Sequence, residues 1–462
     1  MKPKLKTFSE YVKSLLPHEI SYLETVAQFH NEDNSSIFNQ IIKFKNTGKL
    51  KLDPSIDKRK YTYLKNWIKE KLLAIDVDHK LGELLSLEKK VMTDNILPSD
   101  EKKILRIIKT EDLLPYYFMR IYELARDFSS FLLVRMRFQY LEPVNKYLDN
   151  YNETYEKSRE VFDKLNQATL DITNQYTQKA NDAHDWEEFL TTIFYDKKMD
   201  GLNRYYAIVR LTFLFYNKNQ LDKIENLYDE LDRLFGQGYF YSRRILSNYY
   251  SNRLLLHAKM NKLDLAEKYG YLSLRDRGSD YVHYLNSLCS VLLRLKKNST
   301  ALDLMQKSIP ELKKTMSYHN RVGFASIFIK SLNANGKAQE AESYGSTFFT
   351  AYKEKVLEYR WHSFFSAWIQ SMIMQEKYDK VLTVCRRYKV IEKENVFSKK
   401  PGYLPTIAWY FLLSKYKSGE MDFEKLKLEM EKTGRKEELK TGITELIQEI
   451  GHHVPELLST RH

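Results

Sequence analysis

A six-residue turn signature recurs six times in the second half of this chain. Its copies are Asn219-Gln-Leu-Asp-Lys-Ile224, Asn261-Lys-Leu-Asp-Leu-Ala266, Lys296-Lys-Asn-Ser-Thr-Ala301, Gly336-Lys-Ala-Gln-Glu-Ala341, Glu376-Lys-Tyr-Asp-Lys-Val381 and Gly419-Glu-Met-Asp-Phe-Glu424. Their closing residues stand 42, 35, 40, 40 and 43 positions apart. A period of this length belongs to stacked helical hairpins, because one hairpin cannot bury its apolar face without neighbours. The expected fold class is therefore all-α, an α-solenoid of helical hairpins behind an N-terminal helical domain.

Composition supports long helices. Glycine (15) and proline (10) are scarce in 462 residues, with no glycine between Gly82 and Gly201 and no proline between Pro143 and Pro310. Turn-rich β architectures need both residues for their special backbone angles. At 43% apolar the chain carries enough hydrophobic surface to fold. Its length exceeds what one compact core serves, a limit that a stack of repeats avoids.

Four regions follow: a basic helical domain (1–80), a long-helix connecting region (81–200), the repeat array (201–435) and a C-terminal capping helix (436–462). Pro17 is expected to open a helix to about His30, and Asn31 to Ser36 to form a polar loop that caps the next. A helix is expected over 57–75. Ser99 or Asp100 is expected to cap another, and Tyr116–Tyr140 carries apolar residues at helical spacing. A further helix is expected from Pro143 towards Ala180, then a loop at 181–185.

The array resembles the tetratricopeptide repeat family. The third unit carries the pattern best, with Leu285, Leu288, Cys289 and Leu292 on the first helix and Ala301 on the second. The arrangement also resembles uncharacterised bacterial proteins that join an N-terminal helical segment, starting like Leu16-Pro-His-Glu19, to such repeats. In that family, small residues let the two helices of a hairpin approach closely. Three units depart at the closing position, with Ile224, Val381 and Glu424. The resemblance implies a concave groove lined by each first helix. Threading the chain onto it gives Asn248, Asn252, His283, Asn286, Lys330, Asn333 and Gln370 as peptide-binding residues. Tyr206, Phe213 and Tyr216 flank this strip at one end, and Trp409 and Tyr416 at the other. Carboxamides offer a donor and an acceptor together, so they can hold an extended backbone whatever its side chains.

The formal net charge is +13. Ten basic residues against three acidic ones fall in 43–71, and Lys58, Lys65 and Lys69 share one face of the 57–75 helix. Such a face is a candidate contact for nucleic acid or another anion. A second basic cluster spans 386–417. No phosphate-binding glycine loop, no His-Glu-x-x-His and no cysteine framework is present. The two cysteines, Cys289 and Cys385, suit a reducing compartment. No apolar run approaches the ~20 residues that cross a bilayer, and none near the N-terminus suits a signal peptide. The expectation is a cytoplasmic, non-enzymatic scaffold that binds a protein or peptide segment, with no cofactor, metal or membrane. The alternative is a peptide-sensing regulator whose basic N-terminal domain binds nucleic acid.

Overall fold

All six signature turns end a helix by the same backbone device. In the computed structural model, which describes residues 3–109, 115–178, 186–399, 403–434 and 440–459, the first residue of each signature is left-handed. The φ values are +56° at Asn219, +58° at Asn261, +59° at Lys296, +73° at Gly336, +55° at Glu376 and +75° at Gly419. The next residue's N–H reaches back to the carbonyl five residues earlier: Gln220 to Phe215, Lys262 to His257, Lys297 to Leu292, Lys337 to Leu332, Lys377 to Met372 and Glu420 to Lys415, at 2.8–3.0 Å. The left-handed residue's own N–H bonds the carbonyl three back, as in Gly336 to Asn333 at 2.9 Å. These paired bonds form a Schellman cap, which satisfies carbonyls that a helix end otherwise leaves open.

The described residues form helices and no strands. The chain divides into two compact units, one up to Tyr249 and one from Tyr250 onward. Helices of the first are α1 (Pro3–Ser14), α2 (Pro17–Val26), α3 (Glu32–Thr47), α4 (Lys58–Ile75), α5 (Val77–Met92), α6 (Pro98–Ile108), α7 (Phe118–Val134), α8 (Phe138–Gln178), α9 (Glu187–Tyr195), α10 (Gly201–Asn217) and α11 (Leu221–Gly236). The division falls within α12 (Arg243–Lys259), inside the expected repeat array. Within the first unit, α2 packs on α11, and Val77 N–H bonds Tyr241 O at 2.8 Å. The first 80 residues thus share a unit with the first expected repeat.

The second unit continues with α13 (Leu263–Ser273), α14 (Tyr281–Arg294), α15 (Asn298–Lys307), α16 (Ile309–Lys314), α17 (Tyr318–Ala334), α18 (Ala338–Glu358), α19 (Trp361–Ile373), α20 (Tyr378–Arg387), α21 (Val390–Phe397), α22 (Thr406–Lys417), α23 (Phe423–Gly434), α24 (Lys440–His453) and α25 (Glu456–Ser459). α14, α17, α19 and α22 pack in succession, and each also packs on the second helix of its own hairpin, α15, α18, α20 or α23. One continuous apolar core runs from Leu254 to Val454. Gly345 makes the closest approach: a Cβ there would stand 2.4 Å from Trp368 Cδ1, so only glycine lets α18 meet α19. Ile224, Ala266, Ala301, Ala341 and Val381 are all buried at the closing position. Glu424 is exposed. In this sixth unit Asp422 caps α23, its carboxylate accepting from Lys425 N–H at 2.8 Å, and Leu426 fills the core instead.

Several local expectations are corrected. α2 stops at Val26, and Asn31 caps a helix that already begins at Glu32. Leu97, not Ser99 or Asp100, precedes α6; Asp100 reaches back to accept Leu97 N–H at 3.1 Å. Glu19 does the same for Leu16 N–H at 2.7 Å, so the two Leu-Pro-x-acid sequences use one device. The stretch 116–140 breaks at Met136, where φ is +54°. α8 starts five residues before Pro143. The loop expected at 181–185 and the end of the chain at 460–462 lie outside the described residues.

Candidate functional site

Three parallel stripes meet on one side of the second unit. The α17 stripe runs His319, Gly323, Ser326, Lys330, Asn333 at spacings of three and four, so these residues share a face. His283, Asn286 and Ser290 form the matching stripe on α14, and Ser366 and Gln370 lie on α19.

The expected carboxamides are not presented to solvent. Asn286 and Asn333 are each only 4% exposed. Asn286 Nδ2 donates to Asn320 O at 3.1 Å, tying α14 to α17. Asn333 Nδ2 donates to Ala367 O at 2.9 Å and to Gln370 Oε1 at 3.1 Å, tying α17 to α19. Both Nδ2 groups are spent on neighbouring helices, because adjacent first helices approach closely enough for a buried donor to find a carbonyl, whereas both Oδ1 atoms are buried without a hydrogen-bond partner among the described residues. The two asparagines form the floor of the face.

What projects above that floor is basic. Lys330 is exposed and has no hydrogen-bond or ionic partner among the described residues. Desolvation by the surrounding protein nevertheless lowers its pKa. Arg360 has no carboxylate partner among the described residues; its Nε donates to His319 Nε2 at 2.8 Å. Burial lowers the pKa of Arg360 as well. His283 is held below its ordinary value by burial first, then by the charge of Arg360. Arg360 Nη1 would stand 3.4 Å from a Cβ at Gly323. Lys330 is two helical turns further along, about 10 Å. Arg360 is also left-handed, with φ +49° and ψ +27°. That conformation is costly for a residue with a Cβ, and such strain concentrates at functional sites.

One carboxylate of the chain itself already reaches this face. Glu449 on α24 accepts from Gln370 Nε2 at 2.9 Å, beside the Asn333–Gln370 bond. Glu445 and His453 lie on the same stripe of α24 and engage Lys296 at 3.2 Å and Tyr378 Oη at 2.9 Å. The apolar stripe of α24, with Ile443, Leu446 and Ile450, is buried in the core of the second unit.

The remaining expected residues are dispersed. Asn248 is exposed and Asn252 half-buried on α12. Trp409 is buried, its Nε1 donating to Thr433 Oγ1 at 2.7 Å, so it does not flank a surface. On α4, Lys58 and Lys69 are exposed, whereas Lys65 is half-buried. The ammoniums of Lys65 and Lys69 lie 5.3 and 5.9 Å from the centroid of the Tyr11 ring. Trp67 packs against Phe29 and Phe38, and Tyr61 is buried, so these interleaved aromatics face inward. In the cluster at 386–417, Arg386 is neutralised by Glu420, and Lys415 lies over Phe411. Burial pushes both thiols, Cys289 and Cys385, up to about 12, which keeps them unreactive. Among the described residues no group of three or more His, Cys, Asp or Glu could hold a metal, and no helix is long and apolar enough to cross a membrane.

His319, Arg360 and Glu449 escaped the sequence reading. His319 extends the α17 stripe by one turn and was legible there. Arg360 sits in a connection between hairpins and carries no periodic signal. No protein-family model matches the chain, and no curated protein is significantly similar to it.

Proposed function

We propose that the chain is a non-enzymatic binding protein, and that its second unit holds an extended, acidic protein segment across α14, α17 and α19. Tetratricopeptide-like hairpins stacked as a solenoid are the architecture that best accounts for six identical Schellman turns and for helices that pack in succession. The observation that carries the site is the row His283, His319, Arg360 and Lys330, in which the guanidinium and the ammonium lack a carboxylate partner among the described residues. Both side chains are exposed, so an incoming carboxylate can reach them and supply the missing partner. Glu449 on Gln370 supports the same reading, as a carboxylate held at the edge of the row.

The test is fluorescence anisotropy with a labelled ten-residue peptide rich in glutamate, against a lysine-rich counterpart, at low and high salt. The acidic peptide is expected to bind, with affinity falling as salt rises. Lys330→Glu is expected to weaken it at least tenfold. Equal binding by wild type and Lys330→Glu would exclude this face.

Nucleic-acid binding by the first 80 residues has less support. Base stacking needs exposed rings, and of the aromatics interleaved with these lysines only Tyr63 is exposed, at 51%.

A further inference from the structure

A cavity of about 790 Å³ lies within the first unit, remote in sequence from the basic row of the second. Its aromatic walls come from three places. Tyr116 and Tyr117 precede α7, Tyr205 and Tyr206 stand in the first turns of α10, and Tyr155 and Phe162 project from α8.

The cavity is built by specific short contacts. Asp200 caps α10 by accepting from Asn203 N–H at 3.0 Å. Leu202 N–H then bonds Tyr116 O at 3.0 Å, fixing the turn ahead of α7 against the start of α10. Gly201 makes room for this: a Cβ there would stand 3.0 Å from Tyr116 Cα. The Tyr116 and Tyr117 rings meet edge to face at 4.8 Å, and the Tyr205 ring lies 6.3 Å from Tyr116.

Burial raises the Tyr116 hydroxyl far above its ordinary value, and those of Tyr117 and Tyr205 to about 12. They therefore remain protonated donors. The hydroxyls of Tyr116, Tyr117, Tyr205 and Tyr206 find no hydrogen-bond partner among the described residues.

The charges around the cavity divide sharply. Arg120 is paired with Glu123 at 3.1 Å, and Arg244 makes two bonds to Asp78 at 2.7 and 2.9 Å. Arg126 and Arg159 have no carboxylate partner among the described residues, and both act on the same Tyr155 hydroxyl. Asp163 also lines the cavity without a partner among the described residues.

We infer that this cavity binds a nucleotide-class ligand. Two unpaired guanidiniums at the mouth receive the phosphate, as their forked geometry favours. The tyrosine rings and Phe162 offer faces for a planar base, with hydroxyls to hydrogen-bond its edge. Asp163 accepts from the sugar hydroxyls. The volume lies within the range of small-molecule sites.

The test is a thermal shift of the full-length protein with AMP, GMP, CMP and UMP, with adenosine and inorganic phosphate as half-ligands. At least one nucleotide is expected to raise Tm by about 2 °C or more at millimolar concentration, rising with dose. Either half-ligand should do less. Arg126→Gln with Arg159→Gln should abolish the shift while leaving the unliganded Tm unchanged, since both side chains are exposed. If the pair lowers the unliganded Tm, Arg126→Gln alone is measured and should reduce the nucleotide shift. Lys330→Glu should leave it intact, which separates this cavity from the peptide face. No shift with any of the four nucleotides, an equal shift with phosphate alone, or a shift that survives the arginine substitutions would each overturn the assignment.

Discussion

Glu19 and Arg243 form a two-pronged ion pair, with Arg243 Nε 2.8 Å from Oε1 and Nη2 3.1 Å from Oε2. Glu19 is fully buried, and its oxygens also accept from Tyr241 Oη at 2.7 Å and Leu16 N–H at 2.7 Å. Every bond falls within the first unit, and the ion pair joins residues 224 positions apart. Removing Glu19 leaves a guanidinium that is 37% exposed and two buried donors without their acceptor, at a cost of about 1–3 kcal/mol. Glu19→Ala should therefore lower the urea midpoint sharply. Adding Arg243→Leu to Glu19→Ala should recover part of the loss; a strictly additive double variant would mean the two residues do not act as a pair.

The left-handed turn residues give an independent test. Glu376 adopts φ +55° where glycine is the relaxed choice, and the left-handed conformation costs a residue with a Cβ about 1–2 kcal/mol. Glu376→Gly should stabilise the protein by about 1 kcal/mol in urea unfolding. Gly336→Ala, at φ +73° with open space around it, should cost a similar amount. No change in either would mean that the caps carry no strain.

Acid sensitivity should centre on Glu342. Burial works to raise its pKa, but the ammoniums of Lys377, at 2.6 Å, and Lys380 outweigh burial and hold it below the ordinary carboxylate value. The unfolded chain therefore takes up a proton here before the folded protein does. The stabilisation is present above the ordinary glutamate range and is lost as pH falls through the lowered folded value. Glu342→Gln should flatten the loss of Tm between pH 5 and 3, and an unchanged slope would assign the loss to other carboxylates.

Lys330 should matter for binding and not for stability. Lys330→Met removes an exposed ammonium with no partner among the described residues. It should leave Tm nearly unchanged while abolishing acidic-peptide binding. Loss of both together would mark the residue as structural.

Gly345→Ala is expected to cost about 1–3 kcal/mol. The added methyl has to displace the Trp368 indole, which is itself anchored by Nε1 donating to Glu342 O at 3.1 Å. A midpoint unchanged in urea would show that α18 and α19 have room to separate.

Short-range signals were the most legible in the sequence. Asp57 caps the helix expected over 57–75, and each of the six signatures closes a helix. The groove is less legible in the sequence, for a physical reason. Periodicity assigns Asn286, Lys330 and Asn333 to one face, but it cannot distinguish a residue that rises from that face from one that lies between adjacent helices. Asn286 and Asn333 lie between helices and Lys330 rises above them. The sixth unit shows the same limit, where the closing position moved from Glu424 to Leu426 because Asp422 delays the start of α23.

The sequence alone determined the helical class, the period and the sites of chain reversal, since each depends on hydrogen bonds spanning at most five residues. Tertiary structure decided which polar groups are left to act. Asn333 meets Gln370 across 37 residues, Arg360 meets His319 across 41, and Glu449 meets Gln370 across 79. The cavity of the first unit likewise gathers side chains from residues 81 to 244. A partner at such a distance in the chain has no periodic trace, because it is selected by how helices pack and not by the turn each residue occupies.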